Sequence, residues 1–369
     1  MPQDNLANLN LDEKVGQLFF IGIPGPTLDD PTFQLLERVN PGGVCLFSRN
    51  IREARQTREL NDELHACLKT PPLISLDQEG GLVDRLRRVL TPMPAASKLR
   101  TATDARTLGQ HIGEAIRILG FNMDFAPVVD VIDRDRSLAS NGLHSRGFGS
   151  SAEVASELAA AFLQTLNAAN IIGCLKHFPG LGASTIDSHE DLPSVQIDRS
   201  ILDAIDLLPY QKLLRTHPQT PVMVAHAAYP KIDLQEKRPD GTLIPASLSF
   251  NFVTKLLRNE LGFGGVAITD DLEMGAITRN VSIGRACIEA VKAGQDMLSI
   301  CGSSDLILEG FGAVLKAVED GVVDESRVDQ SIQRIAQLKS GITTNNEFSF
   351  ERLAEISREI AEFNSSLEK

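Results

Sequence analysis

Short apolar, β-branched runs recur along this chain, and longer segments with helical periodicity separate them. Eight such runs are strand-like: 16–23, 43–48, 72–77, 121–130, 171–178, 222–227, 265–271 and 295–301. They are continuous in hydrophobicity instead of alternating, which is the pattern of a strand buried on both faces of a parallel sheet. Helix-like segments lie between them, at 52–69, 104–120, 151–169, 199–215, 252–262 and 284–294. Ser150 and Glu153 have the spacing of a capping box at the head of the third. Eight strands alternating with helices predict an α/β fold, a (β/α)8 TIM-type barrel in a single domain. A doubly wound open sheet is the alternative. The barrel is expected over 1–341. A helical tail over 342–369, with Leu353, Ile356, Ile360 and Phe363 at helical spacing, is expected to pack on its outside.

A barrel concentrates its chemistry at the C-terminal ends of its strands. Here the runs end in Asp77, Asp130, Lys176-His177, His226 and Asp270-Asp271. A fold gains nothing from gathering so many ionisable groups at one end of its core, so their convergence points to a pocket that does chemistry.

Composition narrows what that pocket binds. The 369 residues carry a net charge of −13 and no Lys/Arg cluster, which argues against nucleic acid and against an anionic membrane as partners. The five cysteines are scattered, with no C-x-x-C pair, as expected of reduced thiols in a cytoplasmic protein. The N-terminal residues lack a basic segment followed by an apolar one, and no run approaches the roughly 18 apolar residues of a membrane span. A soluble, cytoplasmic, monomeric protein is the expectation. With no Trp and two Tyr, aromatic platforms for a long polysaccharide are scarce. A small, hydrogen-bonding pocket follows.

Three segments carry the candidate residues. Lys176-His177-Phe178-Pro179-Gly180-Leu181-Gly182, followed by Asp187-Ser188-His189-Glu190-Asp191-Leu192-Pro193, is a loop shaped by Gly and Pro. Asp187 and His189 are two apart, and a carboxylate beside an imidazole fixes its tautomer and stabilises its protonated form, as a general acid/base requires. Asp270 directly follows an apolar strand and faces the pocket mouth; it can serve as nucleophile, metal ligand or hydroxyl acceptor. Asp271 points the other way by strand alternation and holds the next loop. Asp77, in Asp77-Gln78-Glu79-Gly80-Gly81, and Arg85 eight residues later suit a clamp on sugar hydroxyls. Arg146 supplies a third wall.

The combination K-H-F-P-G-x-G, D-S-H-x-x-L-P, D-Q-E-G-G and I-T-D-D-L resembles family 3 glycoside hydrolases. The likeness is to the bacterial β-N-acetylglucosaminidases of peptidoglycan recycling, and it runs from roughly Leu11 to Gly341. It implies a (β/α)8 barrel and a retaining mechanism through a covalent glycosyl-enzyme. By the resemblance, Asp270 is the nucleophile, His189 the acid/base and Asp187 its partner. Lys176, His177, Asp77, Arg85 and Arg146 bind the sugar or muropeptide substrate, with no metal and no cofactor. Leu181 departs from the second His of the common H-F-P-G-H-G, which touches a minor contact or the loop conformation. Larger members carry a second domain that in some of them supplies the proton donor; here that role is expected of the Asp187–His189 loop.

Competing readings are a zinc site from His177, His189, His226 and Asp270, a Schiff base on Lys176 as in class I aldolases, and a non-catalytic sugar-binding barrel. Within the family, a β-glucosidase and a phosphorylase are the alternatives.

Overall fold

The computed structural model describes residue 6 and residues 9–138, 142–184, 191–342 and 347–369. Seven parallel strands run in the order β3-β2-β1-β9-β8-β7-β6. These are β1 (Phe19–Gly22), β2 (Gly43–Cys45), β3 (Leu73–Ser75), β6 (Leu175–Phe178), β7 (Val222–Val224), β8 (Ala267–Asp271) and β9 (Met297–Ile300). A short antiparallel hairpin, β4 (Gln78–Gly80) and β5 (Val83–Asp84), leaves the end of β3.

The open edges β3 and β6 are joined by the segment expected as the fourth strand, 121–130. It is not a regular strand. It bridges both neighbours in pieces: Phe125 N donates to Leu76 O at 2.9 Å, Asp124 N to Ile172 O at 2.8 Å and Val129 N to Lys176 O at 2.8 Å. Only isolated bridges, Met123 to Ile172 and Val128 to Lys176, carry the pairing. Pro127 removes a donor from the middle of the ladder, and Asn122 spends its side chain on the neighbouring Ile74 N and Pro72 O. The ring therefore closes as a TIM-like barrel with seven regular strands and one irregular segment.

The register explains which residues face inward. Phe20 pairs with Gly43, and Gly22 with Cys45, so these positions share one face. A side chain at Gly43 would collide with the Phe20 ring, 2.5 Å from where its Cβ would sit. Along β8, Ile268 and Asp270 fall on the same inward face, which carries Asp270 to the mouth of the barrel. The inner cluster of Phe20, Cys45, Met123, Phe125, Met223, Ile268 and Cys301 fills the barrel below that mouth.

Helices cover the outside. The helix Ala152–Ala168 is capped by Ser151, which accepts from Val154 N, one residue later than the Ser150 cap expected from the sequence. The opposite end of the barrel is tied by Asp296, a wholly buried carboxylate gripped by Arg258, Arg327 and Arg334 at 2.6, 3.2 and 3.1 Å. The last helix, Phe350–Leu367, buries Leu353, Ile356 and Ile360 and contacts the helix Ala102–Ile118. Arg352 bridges the two helices to Glu114 at 2.6 Å. No helix among the described residues is long and apolar enough to cross a membrane.

Candidate active site

A cavity of about 170 Å³ opens at the C-terminal ends of the strands. Asp77, Arg85, Arg146, Lys176, His177 and Asp270 all line it, so six of the eight residues singled out in the sequence converge on one place. Asp187 and His189 lie outside the described residues.

Its electrostatic centre is Lys176, on β6 and only 2% exposed. The ammonium sits 2.7 Å from Asp77 Oδ1 and 2.6 Å from Glu79 Oε1. Arg146 grips the same Glu79 with Nε at 2.8 Å and Nη2 at 2.9 Å, the forked geometry that suits a guanidinium to a carboxylate. Arg85 approaches Asp77 from the other side at 3.4 Å. Burial by itself would raise both carboxyls. Lys176 first, then Arg85, outweigh it and hold Asp77 well below the usual carboxylate range, while Lys176 and Arg146 bring Glu79 down to about 2. Burial likewise works against the Lys176 ammonium, but the two carboxylates win and raise it. An amine held protonated between two anions is no nucleophile, which removes the Schiff-base reading.

His177 is fixed from behind. Its Nδ1 lies 2.7 Å from Asp130 Oδ2, and the same oxygen accepts the His177 backbone N–H at 3.2 Å. Asp130 Oδ1 accepts from Leu181 N at 2.6 Å, so one buried carboxylate holds both ends of the His177–Leu181 turn. With Nδ1–H donating to Asp130, Nε2 is the nitrogen presented to the cavity, where it can accept from Arg146 Nη2, 3.5 Å away. Leu181 is itself a buried cavity residue, so an apolar wall stands where the family motif often has a second His.

His226 is buried with both ring nitrogens engaged: Nε2 donates to Asp271 O at 3.0 Å, and Nδ1 accepts from Ser247 Oγ at 2.6 Å. Burial lowers its pKa against the pull of Asp270, so it is a neutral support for the end of β8. With these partners satisfied, His226 is no part of a metal shell. Among the described residues no group of three or more His, Cys, Asp and Glu is placed to hold an ion.

Asp270 Oδ1 accepts from Asp271 N at 2.9 Å. Asp271 in turn accepts from Glu273 N at 3.1 Å and Cys301 N at 3.3 Å, bracing the loop after β8 against the loop after β9. Burial pushes the Asp271 carboxyl up to about 7. Its folded pKa lies above its unfolded one, so the folded state holds the extra proton and stability falls as pH rises from about 4 to 7. Asp206, buried and raised to about 6, acts in the same direction. Asp271→Asn is expected to flatten the decline in Tm over that window, leaving the smaller part due to Asp206. An unchanged Tm-against-pH profile would remove Asp271 from the account.

Three buried acids here were not assigned from the sequence. Glu79 is the shared anchor of Lys176 and Arg146, Asp130 orients His177, and Asp124 accepts from Gln78 N at 2.9 Å beneath them. A charge count carries the signal for Glu79. Three cations, Arg85, Arg146 and Lys176, need more than one carboxylate if they are to share a buried wall.

Comparison with known proteins places the chain in a family. The model of the glycosyl hydrolase family 3 N terminal domain matches residues 10–338. The chain belongs to glycosyl hydrolase family 3. Membership places it among the glycoside hydrolases. It is 32% identical over 335 residues to "Beta-hexosaminidase A" of Pseudoalteromonas piscicida, a match covering 85% of this chain and 56% of that one. It is also 32% identical to "Beta-hexosaminidase" of Nitrosomonas eutropha, covering 86% of this chain and 91% of that one. Among solved structures, a family 3 β-N-acetylglucosaminidase from a Paenibacillus strain superposes with a TM-score of 0.85 at 32% identity, over 96% of this chain and 69% of that one.

Proposed function

We propose that this family 3 protein is a retaining exo-β-N-acetylglucosaminidase that removes terminal β-linked N-acetylglucosamine, with peptidoglycan fragments as its natural substrates. The observation that carries the proposal is the division of labour in the cavity. Arg85, Arg146 and Lys176 are all committed to Asp77 and Glu79, while Asp270 stands on a different strand of the same cavity. The first group is a rigid polar wall suited to sugar hydroxyls, and the second is a carboxylate placed at the strand end for attack on the anomeric carbon.

In this mechanism Asp77, Arg85, Arg146, Lys176 and His177 hold the sugar ring. Asp270 attacks the anomeric carbon as the glycosidic bond breaks, and protonated His189, partnered by Asp187, delivers its proton to the leaving oxygen. Neutral His189 then takes a proton from water as the water displaces Asp270, and the sugar leaves with its original configuration. A histidine suits both halves because its unperturbed pKa, near 6.5, lets it give and take a proton around neutrality. It also avoids placing a second carboxylate opposite Asp270, the arrangement most glycosidases use.

A panel of aryl β-glycosides tests this reading. Turnover of the N-acetylglucosaminide is expected to exceed that of the glucoside and to be independent of phosphate. His189→Ala is expected to cost about 10² to 10⁴ on substrates with poor leaving groups and far less on activated aryl glycosides. Preference for the glucoside would overturn the substrate, and phosphate-dependent release would change the reaction to phosphorolysis. An equal loss on good and poor leaving groups would remove His189 as the acid.

A further inference from the structure

The last helix, Phe350–Leu367, packs on the outside of the barrel, and two of its polar side chains hold the segment that follows the β4–β5 hairpin. Ser357 Oγ accepts from Thr91 N at 2.8 Å and shares a second hydrogen bond with Thr91 Oγ1 at 2.8 Å. Asn364 Nδ2 donates to Pro92 O at 2.9 Å. The next residue of that segment is bonded twice to the β4–β5 hairpin. Met93 N donates to Asp84 Oδ2 at 2.9 Å, and Gly81 N donates to Met93 O at 2.9 Å.

The hairpin is a single hydrogen-bonded unit. Asp84 Oδ1 accepts from Gln78 Nε2 at 2.9 Å, and Gln78 Oε1 accepts from Arg85 N at 2.9 Å and Leu86 N at 3.1 Å. Gly80 and Gly81 turn it with φ of +88° and +60°, and they press so closely on Pro94 and Ala95 that a Cβ at either would collide with that segment. The hairpin delivers Val83 and Arg85 to the cavity wall and holds Glu79 behind it against Lys176 and Arg146. The same segment also touches the neighbour of Arg146, because Ser97 N donates to Ser145 O at 3.3 Å. Hydrogen bonds joined by short stretches of backbone thus link the helix, through residues 91–97, to the hairpin and to the residue before Arg146.

We propose that Ser357 and Asn364 are positioning residues for the sugar-binding wall, acting through Thr91, Pro92 and Met93 on the hairpin that carries Glu79 and Arg85. This rests on the reading of that wall as the sugar site. The helix keeps its place without these two groups, since Leu353, Ile356 and Ile360 are buried and Arg352 is paired with Glu114. Loosening these three bonds leaves the fold standing and lets the wall drift. Ground-state binding then suffers while the chemistry at Asp270 does not.

The test is the double variant Ser357→Ala with Asn364→Ala, read by amide hydrogen exchange over residues 78–86 and by steady-state kinetics on an aryl β-N-acetylglucosaminide. Faster exchange in the hairpin is expected, together with a rise in KM of roughly 5- to 20-fold at nearly constant kcat. Ser357→Thr, which keeps the hydroxyl, is expected to restore wild-type values in place of Ser357→Ala. Arg352→Ala, which loosens the helix at its pairing with Glu114 and removes no bond to segment 91–93, is expected to lower Tm and leave KM unchanged. Unaltered hairpin exchange in the double variant would overturn the proposal, as would an equal rise in KM from Arg352→Ala. Absence of wild-type turnover alongside accelerated hairpin exchange would instead break the reading of the site and leave the coupling intact.

Discussion

Asp270→Asn should lower kcat on an aryl β-N-acetylglucosaminide by about 10³-fold or more while leaving the fold and Tm close to wild type. The size follows from the role proposed for the residue, since a missing nucleophile forfeits the whole covalent route and cannot be offset by binding. The fold should tolerate the change because the side chain lines the cavity and its own hydrogen bond is a local one, Oδ1 to Asp271 N, which an amide oxygen can also accept. The check is paired: single-turnover kinetics for the loss, and thermal unfolding for the intact fold. A variant keeping more than a few per cent of turnover would mean that the carboxylate assists without forming the covalent bond.

Lys176→Met should be the most destabilising single change in the site, by about 3 to 5 kcal/mol. The substitution conserves bulk but strands two carboxylates that are held apart from water only by this ammonium and its neighbours. Asp77 and Glu79 stand 2.7 and 2.6 Å from Nζ, and Glu79 is 3% exposed. Arg146 still covers Glu79, but Asp77 keeps only the longer contact to Arg85 at 3.4 Å. Pairing also sets the pH dependence. Depressed carboxyls contribute stability that is complete above their unfolded pKa and drains away as pH falls from there through the folded one, so wild type should hold this contribution down to about pH 4.5 and lose it progressively towards about 2. The variant should lose stability at neutral pH and recover part of it in acid, where the stranded carboxylates take up protons. Denaturant unfolding of both proteins between pH 4 and 8 measures this, and equal losses at both ends would contradict it.

Much of this architecture was legible because a parallel barrel writes itself into the sequence twice. Strands buried on both faces need continuous apolar runs, and polar residues at their C-terminal ends mark the mouth. The segment 121–130 misled because its composition is that of a strand, while Pro127 and the side chain of Asn122 divert its hydrogen bonds. Sequence spacing could not show that Glu79 would turn back through a hairpin to share Lys176 with Asp77, since that depends on the φ > 0 conformations of Gly80 and Gly81. Asp296 was equally silent: its three arginines come from residues 258, 327 and 334, which only folding brings together. His226 ends an apolar run as His177 does, yet one is fully satisfied internally and the other presents Nε2 to the cavity. Local sequence does not distinguish those two environments.

In the proposed mechanism Asp270 forms a covalent bond to the sugar. A fluorinated N-acetylglucosaminyl donor with a good leaving group slows release of the glycosyl-enzyme more than its formation, because fluorine disfavours positive charge at the anomeric centre while the leaving group keeps the first step fast. Mass spectrometry of the trapped and digested protein then locates the sugar. One glycosyl unit per chain is expected on the peptide containing Asp270, and none in Asp270→Asn. A sugar attached to any other residue, or continued turnover of the donor with no adduct, would contradict it.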